Sequence, residues 1–290
     1  MLTEVPISKN QKTLKNNFSF TGIGLHTGEY SNVTVSPSLE DSGIVFIRTD
    51  KDKDNNINAL WSNVTSTRLC TTIANSSGTS VSTIEHLMSA LSGMHIDNVI
   101  IKINGPEVPI MDGSAEPFVR LIESVGIKNQ KKYRKCIRVL KDVVVESGDS
   151  YAYLKPNLQF SIDFEIDFPS SVIDKQSCQI QMINGNYKED VSKARTFGFE
   201  DEVENLRNKG FALGGSLSNA VVVSKDKILN KEGLRYEDEF VRHKILDSIG
   251  DLYLAGAPVI GYFKGMKSGH SLNNELLKKL LSDQANWTYS

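Results

Sequence analysis

The chain has 290 residues, 39% of them apolar, which is enough to bury an ordinary globular core and long enough for two domains. Lys and Arg number 33 against 35 Asp and Glu, so the net charge is -2 and the broad basic field that nucleic-acid binding needs is excluded. Its three cysteines, Cys70, Cys136 and Cys178, are widely spaced without a CxxC pair, so any metal must be held by histidine and carboxylate.

The opening segment MLTEVPISKNQKTLKNN has no apolar h-region, and no apolar run approaches bilayer-spanning length. A cytoplasmic protein without an integral membrane segment is expected. Alternating apolar stretches at 18–20, 33–35 and 44–47 predict half-buried strands. Among them, Gly22-Ile-Gly-Leu-His26-Thr-Gly reads either as a hairpin bend or as backbone brought close to a ligand; its spacing is not that of a dinucleotide fingerprint. Ser82 or Thr83 then caps a helical period carried by Ile84, Leu87, Met88 and Leu91. His95 falls in a turn-like SGMHID stretch and reads as structural. A strand over 98–103 follows, then a loop with Pro106, Pro109 and Gly113, and a second helix over 116–125.

Residues 127–135, IKNQKKYRK, are polar and cationic and interrupt the apolar patterning, which places a domain boundary there and gives domains of 1–128 and 135–290. In the second domain, strands near 137–145, 151–154 and 158–168 precede a segment, 195–223, with the doublet Gly214-Gly215, and a long helix over 236–254. The order of events repeats that of the first half and points to a duplicated α+β layout.

Three local patterns carry chemistry. In the long helix, His243, Asp247 and Asp251 fall at successive i, i+4 positions and share one face, so an imidazole and a carboxylate one turn apart can reach a single cation. A solvated polar stripe with a helix-stabilising His and Asp pair has the same spacing. Glu85-His86 sets a carboxylate and an imidazole about 100° apart at a helix start, where one can hold a metal while the other reaches toward a water; an acid complementing the helix dipole accounts for the pair equally well. Two His and one Asp together would complete a three-ligand site with an open fourth position, as catalytic zinc requires. His270, in Lys267-Ser-Gly-His270, sits in a glycine-containing loop as a proton donor or as a surface histidine without a role. Cys70 has no metal partner nearby and reads as packing. These patterns alone leave open a zinc deacetylase acting on some other acylated amine, and a non-catalytic module that keeps the metal for folding.

Beyond single patterns, GIGLHTG, STIEHLMSAL, PEVPIMDGSAEPF, ARTFGF, LGGSLSNAVV, LRYEDEFVRHKILDSIGDLYLAG and KSGHSLNNELL together make the chain resemble, over nearly its whole length, the UDP-3-O-acyl-N-acetylglucosamine deacetylases of lipid A biosynthesis. The resemblance implies two similar sheet-plus-two-helix domains packed as a sandwich with helices between the sheets. It implies hydrolysis of the N-acetyl group of UDP-3-O-acyl-N-acetylglucosamine, a small-molecule substrate, by a monomeric zinc enzyme. By the same resemblance His86, His243 and Asp247 are the zinc ligands, Glu85 the general base, His270 the general acid, Asp251 its carboxylate partner and Thr196 an oxyanion stabiliser. Lys244 and Lys267 are expected at the diphosphate, Asp167 and Phe168 at the uridine and Phe197 near the sugar. The segment 203–222 is expected to form an acyl-chain passage with Gly215 and Ser216 at its wall.

Overall fold

A computed structural model describes residues 9–183 and 185–290; residues 1–8 of the expected first domain lie outside that description. Alternating burial builds two five-stranded sheets. The first contains, in chain order, Phe18–Ile23, Tyr30–Pro37, Ile44–Arg48, Asn56–Asn58 and Val99–Ile103. The second contains Val143–Ser147, Ser150–Lys155, Ser161–Asp167, Lys175–Gln181 and Tyr262–Met266. Both have the spatial order first, second, fifth, third, fourth. In both, the third strand runs parallel to the fifth and the remaining pairs are antiparallel. The repeat read from the order of elements is therefore a repeat of topology.

Six helices accompany the sheets: α1 (Glu85–Gly93), α2 (Glu116–Val125), α3 (Asn186–Asp190), α4 (Glu200–Asn208), α5 (Glu239–Tyr253) and α6 (His270–Ser282). The amphipathic α2 has the bounds its sequence suggests, burying Phe118, Val119 and Ile122 and stopping at Gly126 with φ 77°. On the second sheet, α5 lies over Ser161–Asp167 and Lys175–Gln181 while α6 lies over Val143–Ser147 and Ser150–Lys155. Helix α1 packs on α5, so the helices are sandwiched between the sheets and one apolar core runs from Leu14 and Phe46 through to Phe263 and Leu280. Every residue of α5 except Arg242 and Lys244 is buried. Five of those buried residues, Glu239, His243, Asp247, Asp251 and Tyr253, are ionisable, and polar groups so deep must be paired or hold an ion. Contact with α1 is close because Gly250 faces it: a Cβ there would stand 2.0 Å from the Glu85 carbonyl oxygen.

Each half carries an insert between its fourth strand and its first long helix. The first is a small sheet of Val64–Ser66, Thr72–Ala74 and Ser80–Val81. The second includes strands Phe197–Phe199 and Val221–Ser224, paired in parallel with α4 in the crossover between them.

Three expectations are corrected. The cationic stretch assigned to the domain boundary contains a strand, Ile127–Tyr133, antiparallel to Asn10–Leu14; its charges are exposed because they decorate an edge ribbon. Neither Ser82 nor Thr83 caps α1: Ile84 occupies the N-cap, and the Thr83 hydroxyl donates instead to Glu107 at 2.7 Å. The strand expected over 137–145 is two strands, since Ile137–Val139 leaves the second sheet to pair with Val259–Ile260 and Trp287–Tyr289. No helix among the described residues is long and apolar enough to cross a membrane.

Candidate metal centre and active site

Where α1 meets α5, His86, His243 and Asp247 converge, each offering one ligand atom within 4.8 Å of the others. Asp247 Oδ1 lies 3.5 Å from His86 Nε2 and 3.3 Å from His243 Nε2, and it is buried without a hydrogen-bond partner. Tetrahedral ligands about 2.1 Å from one ion stand ~3.4 Å apart, so the two separations from Asp247 suit a single cation. The second oxygen of Asp247 accepts from Lys244 Nζ at 2.8 Å. Burial alone would raise the Asp247 pKa, but His243 and Lys244 hold the carboxyl well below its ordinary value. Burial pushes His243 down to about 3, so its ring is neutral. Its Nδ1 lies 3.1 Å from the Ala194 carbonyl, which assigns the proton to Nδ1 and leaves the Nε2 lone pair facing the cluster.

Beside the cluster, Glu85 Oε1 and His270 Nε2 face each other at 3.8 Å. Burial raises the Glu85 pKa, partly offset by the His270 and His86 rings. Its other oxygen accepts from the Thr71 backbone N–H at 3.0 Å. For His270 burial opposes the charge, yet the Asp251 carboxylate, 2.8 Å from Nδ1, raises the pKa to about 9. Asp251 is itself held by the Thr71 hydroxyl at 2.6 Å and the Asn273 amide at 2.9 Å. Contrary to the loop expected from its glycine, His270 is the first residue of α6, with Gly269 at the N-cap. Nothing in the local sequence singles out Thr71, although it touches both carboxylates.

The other expected site residues fall into two groups, one joined by ring and ion-pair contacts and one lining a cavity. Phe197 stacks edge-on with His243, ring centroids 6.3 Å apart, and with Phe168 at 5.6 Å. Lys267 Nζ bonds Asp167 at 2.8 Å and Asp149 at 3.0 Å. Thr196 and Phe197 line a cavity of about 630 Å³ whose walls also include Val203, Leu206, Gly215, Ser216 and Val222. Leu213, within the segment expected to form that passage, is instead 48% exposed, its backbone N–H donating to the His26 carbonyl at 3.2 Å. His26 also lines this cavity, so its glycine-rich segment is at once a hairpin bend and a cavity wall. Cys70 is a buried free thiol pushed up to about 12 by burial and by Glu85. Thr83, two residues before Glu85, adopts positive φ, as do Leu69 and Ala212 in the cavity lining.

Three buried ligand-type side chains flanked by a basic carboxylate and a charged imidazole, set between two α+β halves, define a metal-dependent hydrolase. The profile of the LpxC family, UDP-3-O-acyl N-acetylglycosamine deacetylase, matches residues 11–282. The chain is 49% identical over 278 residues to a UDP-3-O-acyl-N-acetylglucosamine deacetylase of Syntrophus aciditrophicus, covering 96% of this chain and 88% of the relative. It is 47% identical to the enzyme of that name from Shewanella violacea and 46% identical to that from Shewanella halifaxensis, in each case over 96% of this chain and 91% of the relative. The chain belongs to this family of metalloenzymes.

Proposed function

We propose that the enzyme removes the N-acetyl group of UDP-3-O-acyl-N-acetylglucosamine with zinc as its metal, releasing acetate and a free amine in the committed step of lipid A biosynthesis. The observation that carries this reading is the convergence of His86, His243 and Asp247 beside a Glu85–His270 pair 3.8 Å apart. Neutral imidazoles and a carboxylate are ligand types zinc accepts, and three of them leave a coordination position free. Zinc bound there supplies a Lewis acid that polarises the amide carbonyl.

The chain's own residues handle the protons. Glu85, made more basic by burial, takes a proton from the attacking water. As the water oxygen bonds to the carbonyl carbon, Thr196 in the cavity lining stabilises the developing oxyanion. When the C–N bond breaks, His270 delivers its Nε2 proton to the departing nitrogen, because an expelled amide anion would be prohibitively basic. Asp251 keeps that imidazole charged until the transfer.

Substrate binding follows the two groups of residues. Lys244 and Lys267 face the diphosphate, Asp167 and Phe168 the uridine, and Phe197 the sugar, while the apolar cavity past Gly215 and Ser216 takes the acyl chain. Each methylene buried there contributes roughly 0.8 kcal/mol, about fourfold in affinity. A cytoplasmic location suits a UDP-sugar substrate, and a single chain suits a site whose named residues all come from one copy.

The test is acetate release from UDP-3-O-acyl-N-acetylglucosamine with metal content measured before and after chelation. Activity should track zinc at one ion per chain and return on adding zinc back. Full turnover by protein holding far less than stoichiometric metal would overturn the reading.

A further inference from the structure

We propose that Glu107, which touches neither the metal cluster nor the proposed proton-transfer pair, is a positioning residue that couples the acyl-passage wall to the catalytic turn. The inference rests on the reading of the 630 Å³ cavity as that passage.

Glu107 is fully buried, and among the described residues no cation pairs with it; four donors from two separate chain segments fill its carboxylate. On one side the His26 N–H donates to Oε1 at 2.9 Å, and the Thr27 N–H and Thr27 hydroxyl each donate to Oε2 at 2.8 Å. On the other the Thr83 hydroxyl donates to Oε1 at 2.7 Å. The first segment is the hairpin bend, whose Leu25 and His26 carbonyls accept from the N–H groups of Gly214 and Leu213 at 3.0 and 3.2 Å. Through those bonds it docks the insert that walls the cavity. The second segment enters α1 two residues before Glu85. Thr83 is held there at φ 54°, a conformation that a β-branched residue adopts only when its surroundings impose it. The backbone repeats the link, since Ser82 N–H donates to the Pro106 carbonyl at 2.9 Å and Val108 N–H to the Ser82 carbonyl at 3.1 Å. Room for the carboxylate comes from Gly24, where a Cβ would stand 2.4 Å from Glu107 Oε2.

A single rigid acceptor thus sets both the position of the insert and the entry of the helix that presents Glu85 and His86. Removing one donor at a time separates these arms. Thr27→Val cuts a bond on the passage side, and Thr83→Val cuts the bond on the catalytic side with little change of shape. Glu107→Leu removes the acceptor of both arms at once while keeping much of the side-chain volume.

The experiment measures kcat and KM for long- and short-acyl UDP-3-O-acyl-N-acetylglucosamine, with metal content checked in each variant. Thr83→Val should lower kcat about tenfold on both substrates and keep their kcat/KM ratio. Thr27→Val should keep kcat on the short substrate and lower the long-over-short ratio about fivefold. Glu107→Leu should do both. A metal-replete Glu107→Leu with wild-type kcat and ratio overturns the proposal; if that variant does not fold, two threonine variants that change kcat and ratio in the same proportion overturn it. Were the wild type itself indifferent to chain length, the acyl-passage reading would fail, while the kcat arm on the short substrate would still report on Glu107.

Discussion

The protons of the proposed reaction are governed by two residues whose surroundings push them in opposite directions. Glu85 is buried and made more basic, whereas His270 is held in its charged form to about pH 9 by Asp251. Activity against pH should therefore form a bell, with an acid limb set on the Glu85 side and a basic limb where His270 loses its proton. The sign at the basic limb follows from charge. Asp251→Asn removes the anion 2.8 Å from Nδ1, the imidazolium becomes less favoured, the His270 pKa falls, and the basic limb moves to lower pH by about 1–3 units. The measurement is kcat/KM from about pH 5 to 10 on zinc-replete protein. An unchanged basic limb in Asp251→Asn would remove His270 from the role of acid.

At the scale of elements, the site is made by two helices that approach more closely than side chains ordinarily permit. Gly250→Ala would place a methyl group 2.0 Å from the Glu85 carbonyl oxygen and 2.9 Å from its carbon, contacts that α1 can relieve only by moving. Because α1 carries Glu85 and His86 while α5 carries His243 and Asp247, that movement disturbs the spacing of the proposed ligands and the proposed base together. A displacement near 1 Å costs about 10²-fold in rate, and overpacking costs about 1–3 kcal/mol of stability. Steady-state kinetics and thermal unfolding of Gly250→Ala should show both losses, and a variant with wild-type kcat would mean that the helices are not held at this contact. The sequence displays the i, i+4 face of α5 and the Glu85-His86 pair, because helical periodicity is local. It does not display Gly250 as a contact, Thr71 as the shared donor to two carboxylates, or Glu107 as a clamp, since each acts across sequence separations that no local pattern encodes. The boundary strand Ile127–Tyr133 was hidden for a related reason: an exposed edge ribbon carries little of the apolar alternation by which strands are read. Composition likewise could not place Leu213 outside the cavity, because its exposure depends on how the insert docks on the hairpin bend.

Considered whole, the molecule is two topologically matching halves that share both a core and a metal centre. Of the proposed ligands, His86 belongs to the first half and His243 and Asp247 to the second, so an ion bound there would cross-link them. The continuous apolar core already joins the halves, which distinguishes this protein from small zinc modules that unfold without their metal. Chelation should therefore leave a folded apoprotein of lower stability. At a free metal concentration near one hundred times the dissociation constant, a ligand bound only by the native state adds about 2.7 kcal/mol. Each kcal/mol shifts Tm by about 2–4 °C at comparable chain length, so removal of the metal should lower Tm by about 5–10 °C while far-UV dichroism at 25 °C is retained. Asp247→Ala supplies the control: it removes one ligand from the second half, and its Tm should respond little to chelator. The experiment is thermal unfolding of wild type and Asp247→Ala, each with and without chelator and with metal content measured on the same samples. A wild-type Tm that is identical in metal-replete and metal-stripped protein would show that the ion does not fasten one half to the other, and collapse of the stripped protein at 25 °C would show that the shared core alone does not hold them together.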